Sequence, residues 1–169
     1  GLVGKINLTI MKNRISFLFF LASFILCMQS CGEEENFHQI APVEREVYLK
    51  INQYRTTNGL NSLVEQFLLF KEARMVAEKI AANDYELNDP EAEQDLDELA
   101  DNLGGTSHAL LTFSIEEKDA SLIINYLKAS AEYSELLLGE YTQCGVGIST
   151  DNEGNHYAVI MLVQIPDII

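Results

Sequence analysis

The stretch that most constrains the fold is Cys144–Gln164, CGVGISTDNEGNHYAVIMLVQ. It reads as two strands joined by a polar turn. Ser149–Asn155 supplies the reversal, because Asp151, Asn152 and Gly154 accept the backbone angles a tight turn needs. The second strand is apolar on both parities: Tyr157, Val159, Met161 and Val163 on one face, Ala158, Ile160 and Leu162 on the other. A strand apolar on both faces has to be covered on both. The expectation is an α/β protein, a three-layer α-β-α sandwich with a mostly antiparallel central sheet and this strand in its middle. The rest of the chain has to provide the helices.

Helical spacing supplies them. Val43, Val47, Tyr48, Ile51 and Tyr54 recur on one face of a helix over 43–58, with Glu44 and Glu46 in the first turn, where the dipole favours acids. Asn58-Gly59 predicts a left-handed stop. A second helix is expected from about residue 64, with Leu69, Ala73, Val76, Ala77, Ile80 and Ala81 inward and Lys71, Glu72, Arg74, Glu78 and Lys79 wet. Next comes a segment, Asp84–Asp101, with nine acids and no base. Pro90 interrupts the segment, which reads as an exposed loop with a short helix around Glu91–Leu99. Its acids do not have EF-hand spacing, which leaves only diffuse calcium or magnesium association as a cation role. His108–Ser114 is a short strand. Ser114 and Glu117 have capping-box spacing, predicting a helix near Ile115 with Leu122, Ile123, Tyr126 and Leu127 buried. Further helical turns over Ala131–Leu138 close at Gly139.

The N-terminal quarter has a different character. Met11 reads as a start, Lys12 and Arg14 as a basic lead, and Ile15–Met28 as an uncharged run shorter than the about 20 residues of a membrane span. Ser30-Cys31 follows, and the stretch resembles a bacterial lipoprotein signal, in which the cysteine is acylated and becomes the mature terminus. It departs from that pattern at Met28, where Leu is usual. Cys27 competes weakly, since Leu26 precedes it, and an ordinary cleaved signal or an uncleaved anchor remain alternatives. The run Gly-Glu-Glu-Glu-Asn after Cys31 is similar to the acidic display signal of some Bacteroidetes lipoproteins, and is also what a solvated tether would contain. Of the 11 basic residues three precede Cys31, and all 26 acids follow it, so residues 31–169 carry a formal charge of −18. That surface lacks the basic footprint phosphates need, so nucleic acid is excluded as a partner, and membrane contact is expected only through lipid. Of the three cysteines, only Cys144 would remain free in a mature domain, as a small core residue.

Three stretches together resemble the CAP superfamily, or SCP domain, of cysteine-rich secretory proteins, antigen 5 and pathogenesis-related 1. Ile51-Asn52-Gln53-Tyr54-Arg55 with Gly59-Leu60-Asn61-Ser62-Leu63 is similar to the opening "I-N-x-x-R … G-L-x-x-L". Leu69, Ala73, Ala77, Ile80 and Ala81 match the second helix. Ser130–Gly147 and Tyr157–Gln164 are similar to "S-x-x-H-x-x-x-L-L … G-V-G … Y-x-V-x", and Ala100-Asp101-Asn102-Leu103 to "G-E-N-[IL]". The resemblance spans about 43–165 and implies an α-β-α sandwich. Together with the signal-like segment, the expected division is upstream residues 1–10, a lipoprotein-type signal 11–30, a tether 31–42 and a CAP-like domain 43–169.

Many family members hold two histidines and acids in a central cleft, some with a divalent metal. Carried over by position, the histidines fall on Val76 and Tyr133 and the acid on Asp101. A zinc-type site needs three or four nitrogen, sulfur or carboxylate ligands, so no cleft metal and no other cofactor is expected. His38, His108 and His156 have no ligand spacing and read as surface or cap residues. Ser130 and Ser134 have no histidine near in sequence and no G-x-S-x-G elbow surrounds them, so no catalytic residue is assigned. The function expected is an exported, lipid-anchored binding module at the bacterial cell envelope. Asp101, Asn102, Tyr133 and Val76 are the candidate cleft and Cys31 the lipid site. The ligand, of sterol, fatty-acid or glycan type, or the protein partner is unnamed. The alternatives are an envelope hydrolase acting on peptide or lipid and an acidic cation-binding surface protein.

Overall fold

A computed structural model describes residues 39–166. The signal, Cys31, His38 and most of the tether lie outside the described residues. Five helices and four strands follow in order: α1 Pro42–Thr57, β1 Val64–Glu65, α2 Phe67–Ala81, α3 Pro90–Asn102, β2 Ser107–Ile115, α4 Ala120–Ala129, α5 Ala131–Leu137, β3 Gln143–Thr150 and β4 His156–Gln164. The sheet order is β1-β3-β4-β2, with β1 parallel to β3 and the other pairs antiparallel. β4 is therefore interior, as its double-sided apolarity demands.

The two parities of β4 enter two separate cores. Ala158, Ile160 and Leu162 face α1, α4 and α5, packing with Val47, Ile51, Leu111, Phe113, Ile123 and Leu127. Val159, Met161 and Val163 face α2 and α3, packing with Leu69, Ala73, Val76, Ile80, Ala92 and Leu96. The molecule is the three-layer α-β-α sandwich. α2 lies directly on β3, and the two glycines of "G-V-G" make this approach possible. A Cβ on Gly145 would stand 2.2 Å from the Leu69 carbonyl carbon, and one on Gly147 would stand 2.1 Å from that of Ala73. Gly59 at φ +80 ends α1 in the left-handed conformation expected there.

Two helix starts and one buried stripe are corrected. Val64-Glu65 is a two-residue edge strand and α2 starts at Phe67. In the acidic segment the short helix expected around Glu91–Leu99 forms and runs further, with Pro90 as the first residue of α3 and Asp89 capping the end by accepting from Glu91 N at 2.9 Å. The helix expected near Ile115 begins at Ala120, because β2 runs on through Ile115 and Asp119, not Ser114, is the cap, accepting from Ser121 N and Leu122 N at 2.8 and 2.9 Å. The buried stripe of α4 is Ala120, Ile123, Ile124 and Leu127. Leu122 and Tyr126, expected inward, are 51% and 49% exposed.

Candidate functional site

The motif residues are structural clamps. Ile51 is buried in the core beside α4. At the next residue of α1, the Asn52 amide pairs with the Leu63 backbone in both directions, donating to its carbonyl at 3.0 Å and accepting from its N–H at 2.7 Å, and the Tyr48 hydroxyl donates to the same carbonyl at 2.8 Å. Arg55 is only 3% exposed. Its guanidinium donates to four backbone carbonyls: Asn61 at 3.1 Å, Leu137 at 2.7 Å, Gly139 at 2.8 Å and Tyr141 at 3.2 Å. The last three belong to the exit of α5, where helix carbonyls have no partner of their own. Burial pushes the guanidinium down from its ordinary value. The same burial pushes the nearby Cys144 thiol up to about 12. Cys144 is fully buried, a small core residue held as a neutral thiol.

A second clamp joins the layers. Glu44, in the first turn of α1, is 1% exposed. It accepts from the Arg74 guanidinium in a two-point pair, from Ala41 N at 3.0 Å and from Ile148 N at 3.1 Å, tying α1, α2 and β3 together. Arg74, expected on the wet face, is thus a partner of a buried acid.

The four candidate cleft residues are not brought to one place. Val76 is fully buried in the α2–α3 layer among Leu69, Ala73 and Val159. Tyr133 packs on the opposite layer, its ring 5.6 Å from Phe113 and 6.0 Å from Tyr126, and burial raises its phenol above the usual range. Asp101 and Asn102 are exposed at the end of α3, and neither side chain is hydrogen-bonded among the described residues. Val76 and Tyr133 do not fit a common metal ion: they sit on opposite faces of the sheet, and Val76 has no donor atom. Elsewhere too, among the described residues, no group of three or more His, Cys, Asp or Glu could hold a metal ion. His108 stands between Glu93 and Asp97 of α3, at 3.2 and 3.7 Å, and His156 Nδ1 is 2.8 Å from Thr150 Oγ1. Ser130 caps α5 by accepting from Tyr133 N at 3.3 Å, and Ser134 shares a 2.8 Å hydrogen bond with the Tyr54 hydroxyl.

What the sequence reading missed is a groove of ≈ 660 Å³ between the end of β2, α4 and the β3–β4 turn. Ile115, Leu122, Ile123 and Tyr126 form its apolar wall; Ser114, Glu116, Glu117, Asn155 and His156 form its polar rim. Tyr126 stacks on Phe113 at 5.4 Å, and Tyr133 completes the aromatic trio. The β3–β4 turn is built on Asp151, which accepts from Glu153 N, Asn155 N and the Asn155 side-chain amide at 2.8 to 2.9 Å. Those bonds hold its carboxyl below the usual range. The signal for the groove was present: Ala120, Ile123, Ile124 and Leu127 make as good an inward stripe as the one chosen, and they leave Leu122 and Tyr126 outside.

With this geometry in place, comparison with known proteins defines the class. The profile of the CAP family, described as the cysteine-rich secretory protein family, matches residues 48–165, and the chain belongs to that family. Solved structures share the fold. An outer surface protein of Borrelia burgdorferi superposes with a TM-score of 0.65 at 15% identity, covering 76% of this chain and 96% of that one. A cysteine-rich secretory protein from Staphylococcus aureus gives 0.59 at 18% identity, covering 75% of this chain and 40% of the other. An extracellular SCP-domain protein from Bacillus anthracis gives 0.58 at 14%, covering 72% and 40%. The chain thus spans less than half the length of the last two. A search of curated protein sequences finds no match.

Proposed function

We propose that this chain is an exported, lipid-anchored CAP domain that binds a ligand or protein at the bacterial cell envelope without catalysing a reaction, and without the cleft metal some of its relatives carry. The observation that carries the reading is that, among the described residues, no group of three or more His, Cys, Asp or Glu is placed to hold a metal ion, while Val76 is sealed in one layer and Tyr133 is packed among aromatics in the other. The serines support it as well. Ser130 and Ser134 are engaged in capping and in the bond to Tyr54. Ser114 and His156 both line the groove, but the register Ser114↔Tyr157 and Ile115↔His156 sends their side chains to opposite faces of the sheet. A nucleophile and its base need hydrogen-bond reach. The extracellular address rests on the signal-like residues 11–30, on Cys31, and on structural relatives described as outer-surface or extracellular proteins. No described helix is long and apolar enough to cross a membrane.

Two measurements test this. Metabolic labelling with a clickable fatty acid should mark the wild-type chain and not Cys31→Ser; equal labelling of both removes the anchor. Incubating the intact chain with fluorogenic ester and peptide substrates, with and without added zinc, should give no turnover above buffer. Turnover, or zinc binding lost in Tyr133→Phe, would replace the binding module with an enzyme or a metal protein.

A further inference from the structure

The groove beside α4 is chemically one-sided. Its wall is aliphatic and aromatic, and it exposes two large apolar side chains, Leu122 and Tyr126, in contiguity. Tyr126 is stacked on Phe113, with Tyr133 alongside, so the aromatic part of the wall is backed by a packed cluster. At one lip stand Glu116 and Glu117. Both are exposed, and neither forms a hydrogen bond or ion pair among the described residues. Among the described residues no lysine or arginine lines the groove. Its volume falls in the range of sites for small molecules.

We propose that this groove binds a small hydrophobic organic cation: an amine or quaternary ammonium joined to an aliphatic or aromatic group. The apolar part lies against Ile115, Leu122 and Ile123. The cationic centre sits at the lip, where unpaired carboxylates attract it and the Tyr126 ring supplies a cation–π face. The same lip repels anions, so fatty-acid carboxylates and phosphorylated ligands are selected against. Specificity here is a difference between affinities, with repulsion of the wrong charge as one half of it. The proposal rests on the binding-module reading and names its ligand class and place.

The test is calorimetric titration of the intact chain with three probes of matched tail, octyltrimethylammonium and octanoate below their micelle concentrations and octanol below its solubility limit. The cation should bind at least about tenfold more tightly than octanoate, with octanol between, since attraction to one probe and repulsion of the other add. The double variant Glu116→Gln/Glu117→Gln, whose side chains are exposed and hold nothing in place, should weaken the cation by about fivefold and strengthen octanoate. Tyr126→Ala should weaken all three probes. Preference for octanoate, or a cation affinity that the double glutamine variant leaves unchanged, overturns the proposal while the binding-module reading stands. Failure of all three probes to bind at millimolar concentration overturns it too. Hydrolysis of an added ester overturns the module reading instead.

Discussion

Replacing Arg55 by methionine tests the role of the most buried basic side chain among the described residues. The stem keeps its apolar packing while the head is lost. Four donor contacts disappear. The bond to the Leu137 carbonyl is fully buried, and leaving that acceptor empty costs about 1–3 kcal/mol. The Asn61, Gly139 and Tyr141 carbonyls are partly buried, so water can replace the donor and each loses about 0.5–1 kcal/mol. Relief from burying a charge returns part of this, for a net loss of about 3 kcal/mol. With a urea m-value of about 2 kcal/mol/M for a domain of this size, the midpoint should fall by about 1.5 M. Arg55→Lys should fall nearly as far, because one ammonium cannot match a planar fork spread over carbonyls from two loops. Equilibrium urea unfolding followed by far-UV circular dichroism measures both. A midpoint shift under about 0.5 M for methionine, or full rescue by lysine, would refute the clamp.

Gly147→Ala should destabilise by about 2 kcal/mol or more, since the new methyl meets the backbone of α2, which has to move as a unit; Gly154→Ala, with open space around it but φ +92, should cost about 1–2 kcal/mol from backbone strain alone. Thermal unfolding of the two variants separates the causes. Glu44→Ala should lower stability by about 3 kcal/mol, as a buried acid shared by α1, α2 and β3 is removed, and chemical denaturation checks it. Alkaline pH should weaken the fold. Cys144, Tyr48, Tyr133 and Tyr141 all hold their protons to higher pH when folded, so the folded state binds more protons than the unfolded one; stability is full below the unfolded thiol value near 9 and falls as pH rises toward 12. A pH series of denaturation midpoints measures this, and Cys144→Ala should flatten the fall. For Asp151 the sign reverses: its depressed carboxyl stabilises the turn above its unfolded value near 3.8, and the contribution is lost as pH drops through the folded one, visible as a shift in the Asn155 amide resonance.

Sequence alone determined the layers. The double apolarity of 157–163 placed β4 inside the sheet and assigned each parity to its own core, because side chains alternate along a strand whatever surrounds it. The glycine stop of α1 and the inward stripe of α2 were equally local, set by conformational freedom at Gly59 and a 3.6-residue period. Tertiary structure decided whatever depended on a partner far along the chain. Glu44 read as a dipole-favoured acid and Arg74 as a wet base until α1 and α2 converged on the edge of β3. Arg55 read as a motif letter until the exit of α5 folded over it. Helix α4 carries apolar residues on more than one face, so periodicity could not choose its rotation; contact with α1 and β2 buried Ile123 and Ile124 and left Leu122 and Tyr126 on the groove. Val76 and Tyr133, carried over from motif spacing onto one cleft, lie in different layers; positions of one cleft stay on one side of the sheet in a shared fold, so motif spacing misplaced at least one of them, and only packing could show it.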